Sequence, residues 1–245
     1  MKLRGAAFAV LAALCCAAAG AADKPAPVDI WLRADITIDG GGRITALEWT
    51  EAEPSLKLLA GRITSNVQAW EFVPAMVSGL PKETRTALTV KVRVNMQDDG
   101  SMSLQVTDAR TGPKTLGVTP PAYPPLGYRS NMSARVVVEL EVQPDGRAEA
   151  LGMKFDSSSG TTAYRGVFLQ ATEEALRSWA FRPEFVANHA VKTRMEVLVE
   201  FCLEGNPWCA KQKSLKQTTN TPANMPIALD SAVAFKTDFR AAAIP

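Results

Sequence analysis

Apolar and polar residues alternate strictly near the start of the chain. Ile30, Leu32, Ala34, Ile36 and Ile38 fall on one side and Arg33, Asp35, Thr37 and Asp39 on the other. A period of two residues predicts a half-buried strand. Gly40-Gly41-Gly42 supplies a tight turn, and Ile44 to Trp49 is expected to return antiparallel. The period then lengthens. From Pro54, suited to a first helical turn, Leu56, Leu59, Ile63, Val67 and Trp70 recur at helical spacing. After Gly79-Leu80-Pro81, Thr86, Leu88, Val90, Val92 and Val94 alternate with Arg85, Lys91 and Arg93, which predicts another strand. Gln97-Asp98-Asp99-Gly100 should turn that strand into Met102 to Val106, covering its edge.

The same order recurs downstream. Val136, Val138, Leu140 and Val142 alternate with Arg135, Glu139 and Glu141, and a Pro144-Asp145-Gly146 turn leads to a strand ending near Phe155. Phe168, Ala171, Ala175, Leu176 and Trp179 mark a helix face, and Met195, Val197, Val199 and Phe201 alternate in a last strand. Each helix runs into a Trp-x-Phe-x-Pro sequence, at Trp70-Glu71-Phe72-Val73-Pro74 and at Trp179-Ala180-Phe181-Arg182-Pro183. Hairpin, helix, Trp-x-Phe-x-Pro, turn and strand, repeated in order, predict a tandem duplication. Connectivity then predicts an α+β fold. In each copy, three antiparallel strands in the order 2-1-3 carry one helix on one face. The expected boundaries are 28–108 for a first, divergent domain, 109–125 for a stiff proline-rich linker, 126–209 for a second domain and 210–245 for a partly disordered tail. In that tail Leu229, Val233, Phe235 and Phe239 could form a short docking helix.

Tyr123-Pro124 ahead of the first strand of the second copy, Gly146 in its hairpin, and Trp179, Phe181 and Pro183 after its helix carry a resemblance. Residues 126–209 resemble the C-terminal domain of TonB-family energy transducers. That resemblance implies that these six residues are structural and that function lies at a sheet edge, where an extended segment of an outer-membrane transporter is added as a further strand. The edge strand would comprise Thr193, Arg194, Met195, Glu196, Val197, Leu198, Val199, Glu200 and Phe201. The first copy lacks the tyrosine-proline lead-in, and the chain lacks the long proline-rich arm of the transducers. The reading is therefore a non-catalytic periplasmic module that binds an envelope or outer-membrane partner by edge-strand pairing. The alternatives are a membrane-anchored transducer for outer-membrane transport and a structural homodimer formed through the same edge.

Composition refines this picture. Lys2 and Arg4, an alanine-rich apolar run and small residues at Ala19-Gly20-Ala21-Ala22 predict a cleaved secretory signal over residues 1–22, with an uncleaved inner-membrane anchor as the rival. Without that segment the 27 basic residues fall to 25, matching the 25 acidic ones, so no electrostatic footprint for nucleic acid remains. Cys202 and Cys209 are then expected to form a disulfide, two free thiols being the alternative. No catalytic residue, metal ligand, cofactor or small-molecule substrate is expected. His189 is the only histidine and falls in an expected turn, and Gly40-Gly41-Gly42 joins strands, without the Gly-Lys-Ser/Thr or helix of a phosphate loop.

Overall fold

The structure is a computed structural model that describes residues 26–97, 101–209, 226–239 and 243–244. The expected signal at 1–22 lies outside these residues, as does the first part of the tail. The first half of the chain forms β1 (Val28–Ile38), β2 (Ile44–Trp49), α1 (Pro54–Gln68), β3 (Phe72–Val73), β4 (Ala75–Val77), β5 (Leu80–Lys82), β6 (Thr84–Met96), β7 (Met102–Gly112) and β8 (Lys114–Gly117). The second forms α2 (Pro125–Arg129), β9 (Ala134–Val142), β10 (Ala148–Ser157), α3 (Arg165–Leu176), β11 (Ala180–Arg182), β12 (Glu184–Val186), β13 (His189–Val191) and β14 (Thr193–Phe201). The tail adds β15 (Ile227–Ala228), β16 (Ala234–Phe235) and β17 (Ala243–Ile244). The class is α+β, with every strand pair antiparallel among the described residues.

The alternation in the sequence sets the two cores. Leu32, Ala34, Ile36 and Ile38 of β1 and Leu88, Val90 and Val92 of β6 turn inward against Leu59, Ala60, Ile63 and Val67 of α1. Val136, Val138, Leu140 and Val142 of β9 and Met195, Val197, Val199 and Phe201 of β14 do the same beneath Phe168 and Leu176 of α3. Full burial of a side chain of this size is worth about 1.5–3 kcal/mol, so each core is the main stabilising feature of its unit. Thr172, absent from the expected helix face, is fully buried, its hydroxyl donating to the Phe168 carbonyl at 2.8 Å.

Corresponding turns recur in the two units. The β1–β2 turn and the β9–β10 turn each place a glycine at positive φ, Gly42 at 82° and Gly146 at 84°. The Gly42 carbonyl accepts the Phe72 N–H at 2.8 Å, and the Gly146 carbonyl accepts the Phe181 N–H at 2.9 Å. A side chain at either glycine would collide with the carbonyl oxygen of that same phenylalanine. Each Trp-x-Phe-x-Pro then leads into a two-residue hairpin turn at positive φ, Ser78-Gly79 between β4 and β5, and Ala187-Asn188 between β12 and β13. His189, exposed, begins β13 directly after that turn.

Three expectations are corrected. The sheets are not three-stranded: among the described residues the first has seven strands, with β7 and β12 both added to β6 beyond β2-β1-β6, β13 on β12 and β17 on β7, and the second runs β10-β9-β14-β15, because a bare strand edge leaves a row of N–H and C=O groups that further chain covers. Residues 109–125, expected as a stiff linker, hold strands at their start: β7 runs to Gly112, and β8 pairs with β11 of the second unit. The described part of the tail docks as extended chain instead of a helix. Phe235 pairs with Phe72 across β16 and β3, and the Phe235 and Phe239 rings lie 5.9 and 5.4 Å from Trp70.

Candidate functional site

Thr193, Met195, Val197, Val199 and Phe201 of β14 are buried in the core, while exposed Arg194 and half-buried Glu196, Leu198 and Glu200 occupy the opposite face. One side of the strand is hydrogen-bonded along its whole length to β9. The other side is the expected docking edge, and it is occupied from Arg194 to Glu196. Met195 and Glu196 pair with Ala228 and Ile227 of β15, and the Leu229 N–H donates to the Arg194 carbonyl at 2.8 Å. The Arg194 N–H donates to Asp230 at 2.6 Å, and its Nε reaches the other oxygen of that carboxylate at 2.8 Å. Hydrogen bonding to Asp230 raises the pKa of the Arg194 guanidinium above its ordinary value. The strand Thr193 to Phe201 is thus an edge with an extended segment of the same chain added to it.

Beneath the edge lies a carboxylate that the sequence reading passed over. Glu184, on β12, is fully buried. One of its oxygens accepts the hydroxyls of Thr86 at 2.7 Å and Ser231 at 2.8 Å. The other accepts the Thr193 hydroxyl at 2.9 Å and the Ala232 N–H at 3.0 Å. Its partners come from the first unit, the second unit and the tail, so one side chain ties three remote segments together. Buried polar groups persist only when hydrogen-bonded, and here each oxygen takes two donors. The faint signal in the sequence was a charged residue directly after Pro183, where Ala75 follows Pro74.

Around Glu184 the units join by strand pairing. Phe185 and Val186 of β12 pair with Arg85 and Thr84 at the start of β6, beyond the end of β7, and the Arg85 guanidinium lies 4.8 Å from the centre of the Phe185 ring. On the first sheet's polar face Asp35 accepts Arg182 at 3.1 Å to one oxygen, with a second, closer contact to the other, and Lys114 at 3.0 Å. Burial pushes the Asp35 carboxyl upward, but the hydrogen bonds from Arg182 and then Lys114 outweigh it and hold the group below the ordinary value. Asp35, Thr37, Arg85, Arg182 and Phe185 are among the residues lining a cleft of about 170 Å³ at this seam.

The remaining expected residues are structural in geometry. Tyr123 donates its hydroxyl to the Met132 carbonyl and packs edge-on against Phe168 and Phe201, with burial raising its pKa. Pro124 caps α2, and Trp179, 3% exposed, donates its indole N–H to the Thr119 carbonyl at 2.9 Å. Phe181 and Pro183 are buried beside it. Cys202 and Cys209 form a disulfide with Cα atoms 5.8 Å apart. The loop it closes lays Trp208 over Arg135, 4.8 Å from guanidinium carbon to ring centre, next to the far end of β14. Among the described residues no three His, Cys, Asp or Glu side chains are grouped as a metal site, and no helix is long and apolar enough to cross a membrane.

These geometries define a two-unit α+β protein whose special chemistry sits at strand edges and at one buried carboxylate. Residues 119–203 match the family model for the Gram-negative bacterial TonB protein C-terminal, and the second unit is a TonB C-terminal family domain. No curated protein matches the chain.

Proposed function

We propose that this protein is a non-catalytic binding module of the bacterial envelope that takes up an extended protein segment along β14. One observation carries the reading: the outer edge of that strand accepts an added antiparallel strand, supplied here by Ile227 and Ala228 of the chain's own tail. Main-chain pairing of this kind gives affinity, and side chains facing the added strand give selectivity. The family of the matched segment supports a protein partner, in the envelope or the outer membrane. The recurring turns support reading the first unit as a diverged copy. Its own last-strand edge is closed by β7 and β12, which leaves the second unit as the binder.

The test is capture from an envelope extract by the full chain and by Glu196→Pro. Arg194 turns both its N–H and its C=O toward the tail, so Glu196, two residues on, presents its N–H to the same side. Proline there removes an edge donor and leaves the β9 ladder in place. Wild type should retain a partner that the folded variant loses. Equal capture by both would defeat edge pairing, and sedimentation of both proteins decides whether the partner is a second copy of this chain.

A further inference from the structure

The tail segment on β14 is held residue by residue, and the way it is held specifies a ligand. Ala228 pairs with Met195, and its Cβ stands 2.6 Å from where a side-chain carbon on Gly112 would be, so strand and tail touch through their two smallest residues. A side chain at 112 would meet the Ala228 methyl, so the tail lies close against the end of β7. Leu229 contributes its backbone N–H, while its side chain stays 48% exposed and is not selected. Asp230 takes the backbone N–H and the Nε of Arg194 together, a charge-assisted two-point contact. The Ser231 hydroxyl donates to Glu184 and accepts the Thr111 hydroxyl at 2.9 Å, and the Ala232 N–H takes the second Glu184 oxygen. Glu184 has 0% exposure and Gly112 donates its N–H to Thr86, one of the other groups on Glu184. Glu184 and Gly112 are thus buried and joined through Thr86, while Arg194 stands exposed at the strand edge.

We infer that Gly112, Arg194 and Glu184 form a peptide-recognition site that reads a small residue, any residue, an acidic residue and a hydroxyl residue in succession, and that Ala228-Leu229-Asp230-Ser231 is its resident occupant. The envelope partner is an extended segment carrying that same succession, and it binds by exchanging with the resident. This rests on the edge-pairing reading and adds its selectivity. Exchange is local, because the tail has a second, separate attachment: Phe235 on Phe72 and Trp70, with the Lys236 and Thr237 N–H groups on the Glu71 carbonyl at 2.9 and 3.2 Å. Residues 227–232 can leave β14 while that attachment holds.

The experiment uses the full chain and a fluorescein-labelled peptide with the sequence of residues 226–235. The double variant Asp230→Ala/Ser231→Ala weakens the resident and leaves Arg194, Gly112 and Glu184 intact. It should bind the peptide at least tenfold more tightly than wild type by fluorescence anisotropy. Peptides with the Asp230 position changed to alanine, or the Ala228 position to leucine, should lose tenfold or more, as should Arg194→Ala placed in the double variant. A folded double variant that binds nothing, or that binds all three peptides alike, would overturn the inference. So would hydrogen exchange in which the wild-type Leu229 and Ala232 amides open as slowly as those of β9. Envelope capture separates the two proposals. Loss with Glu196→Pro but none with Arg194→Ala leaves edge pairing standing and removes the selectivity, whereas indifference to both removes both.

Discussion

At Glu184, four donors from three segments converge on one buried carboxylate, so its removal should be felt well beyond β12. Glu184→Ala removes the acceptor used by the buried Thr193 hydroxyl and the Ala232 N–H, while Thr86 and Ser231 keep Gly112 and Thr111 as partners. A buried group left unpaired costs about 1–3 kcal/mol, so a total loss of about 3 kcal/mol is expected, after some relaxation, in urea unfolding. Glu184→Gln keeps one acceptor oxygen and should lose roughly half as much by the same reasoning. Asp35 gives a pH signature. Because its folded-state pKa lies below the unfolded 3.8, its contribution is complete above that value and disappears as pH falls through the folded one. Wild type should therefore lose stability more steeply than Asp35→Asn below about pH 4, the two curves converging in acid, as thermal melts across pH would record. Asp35 was visible in the sequence only as a polar-face residue of a strand. Its partners Lys114 and Arg182 lie 79 and 147 residues away, and no local pattern announces a pair at such separation.

Elements with a period were legible, and those without one were not. β9 and β14 bury every second residue as the alternation required, as do β1 from Leu32 and β6 as far as Val92, although at the start of β1 the opposite-face Asp29 and Trp31 are buried and Ile30 only half so; α1 follows the apolar spacing from Pro54. The strand Thr193 to Phe201 was likewise legible from its alternation, its role as a docking edge being what the family resemblance implied. What lay on that edge was missed. β15 and β16 are two residues each, too short for any periodicity, and they are extended because neighbouring strands hold them so. β8 was hidden for a similar reason, since it lay within a proline-rich stretch that reads as linker, and its partner β11 lay within the Trp-x-Phe-x-Pro sequence, which reads as a helix exit. Glycine turns were readable as turns, but their close approach to the Trp-x-Phe-x-Pro backbone was not. Gly146→Ala should cost more than about 1 kcal/mol, because an alanine there combines positive φ with a Cβ 2.3 Å from the Phe181 oxygen. Gly160→Ala, also at positive φ but with open space around it, is the control, and a comparison of melting temperatures should find it the milder change.

For the whole molecule, the seam argues against two independent bodies. β12 adds to β6, β11 adds to β8, and the tail bridges both units through Glu184 and Trp70. Small domains bury a modest share of their surface, so each unit draws stability from the other. Heating or urea should therefore unfold the chain in one transition, with near-ultraviolet and far-ultraviolet signals coincident and the calorimetric and van't Hoff enthalpies equal. Two separated transitions would contradict a shared seam. The tail also sets an order of events during folding. Glu71 receives its partner Thr237 from 166 positions later, and Trp70 is capped by rings at Phe235 and Phe239. Contacts so distant along the chain form late, after the costly closure of very large loops. During synthesis of the chain, residues 28–201 thus come into hand while Trp70 and the β14 edge still lack their covering, and for that interval the nascent protein offers any passing strand the place that residues 227–239 will take.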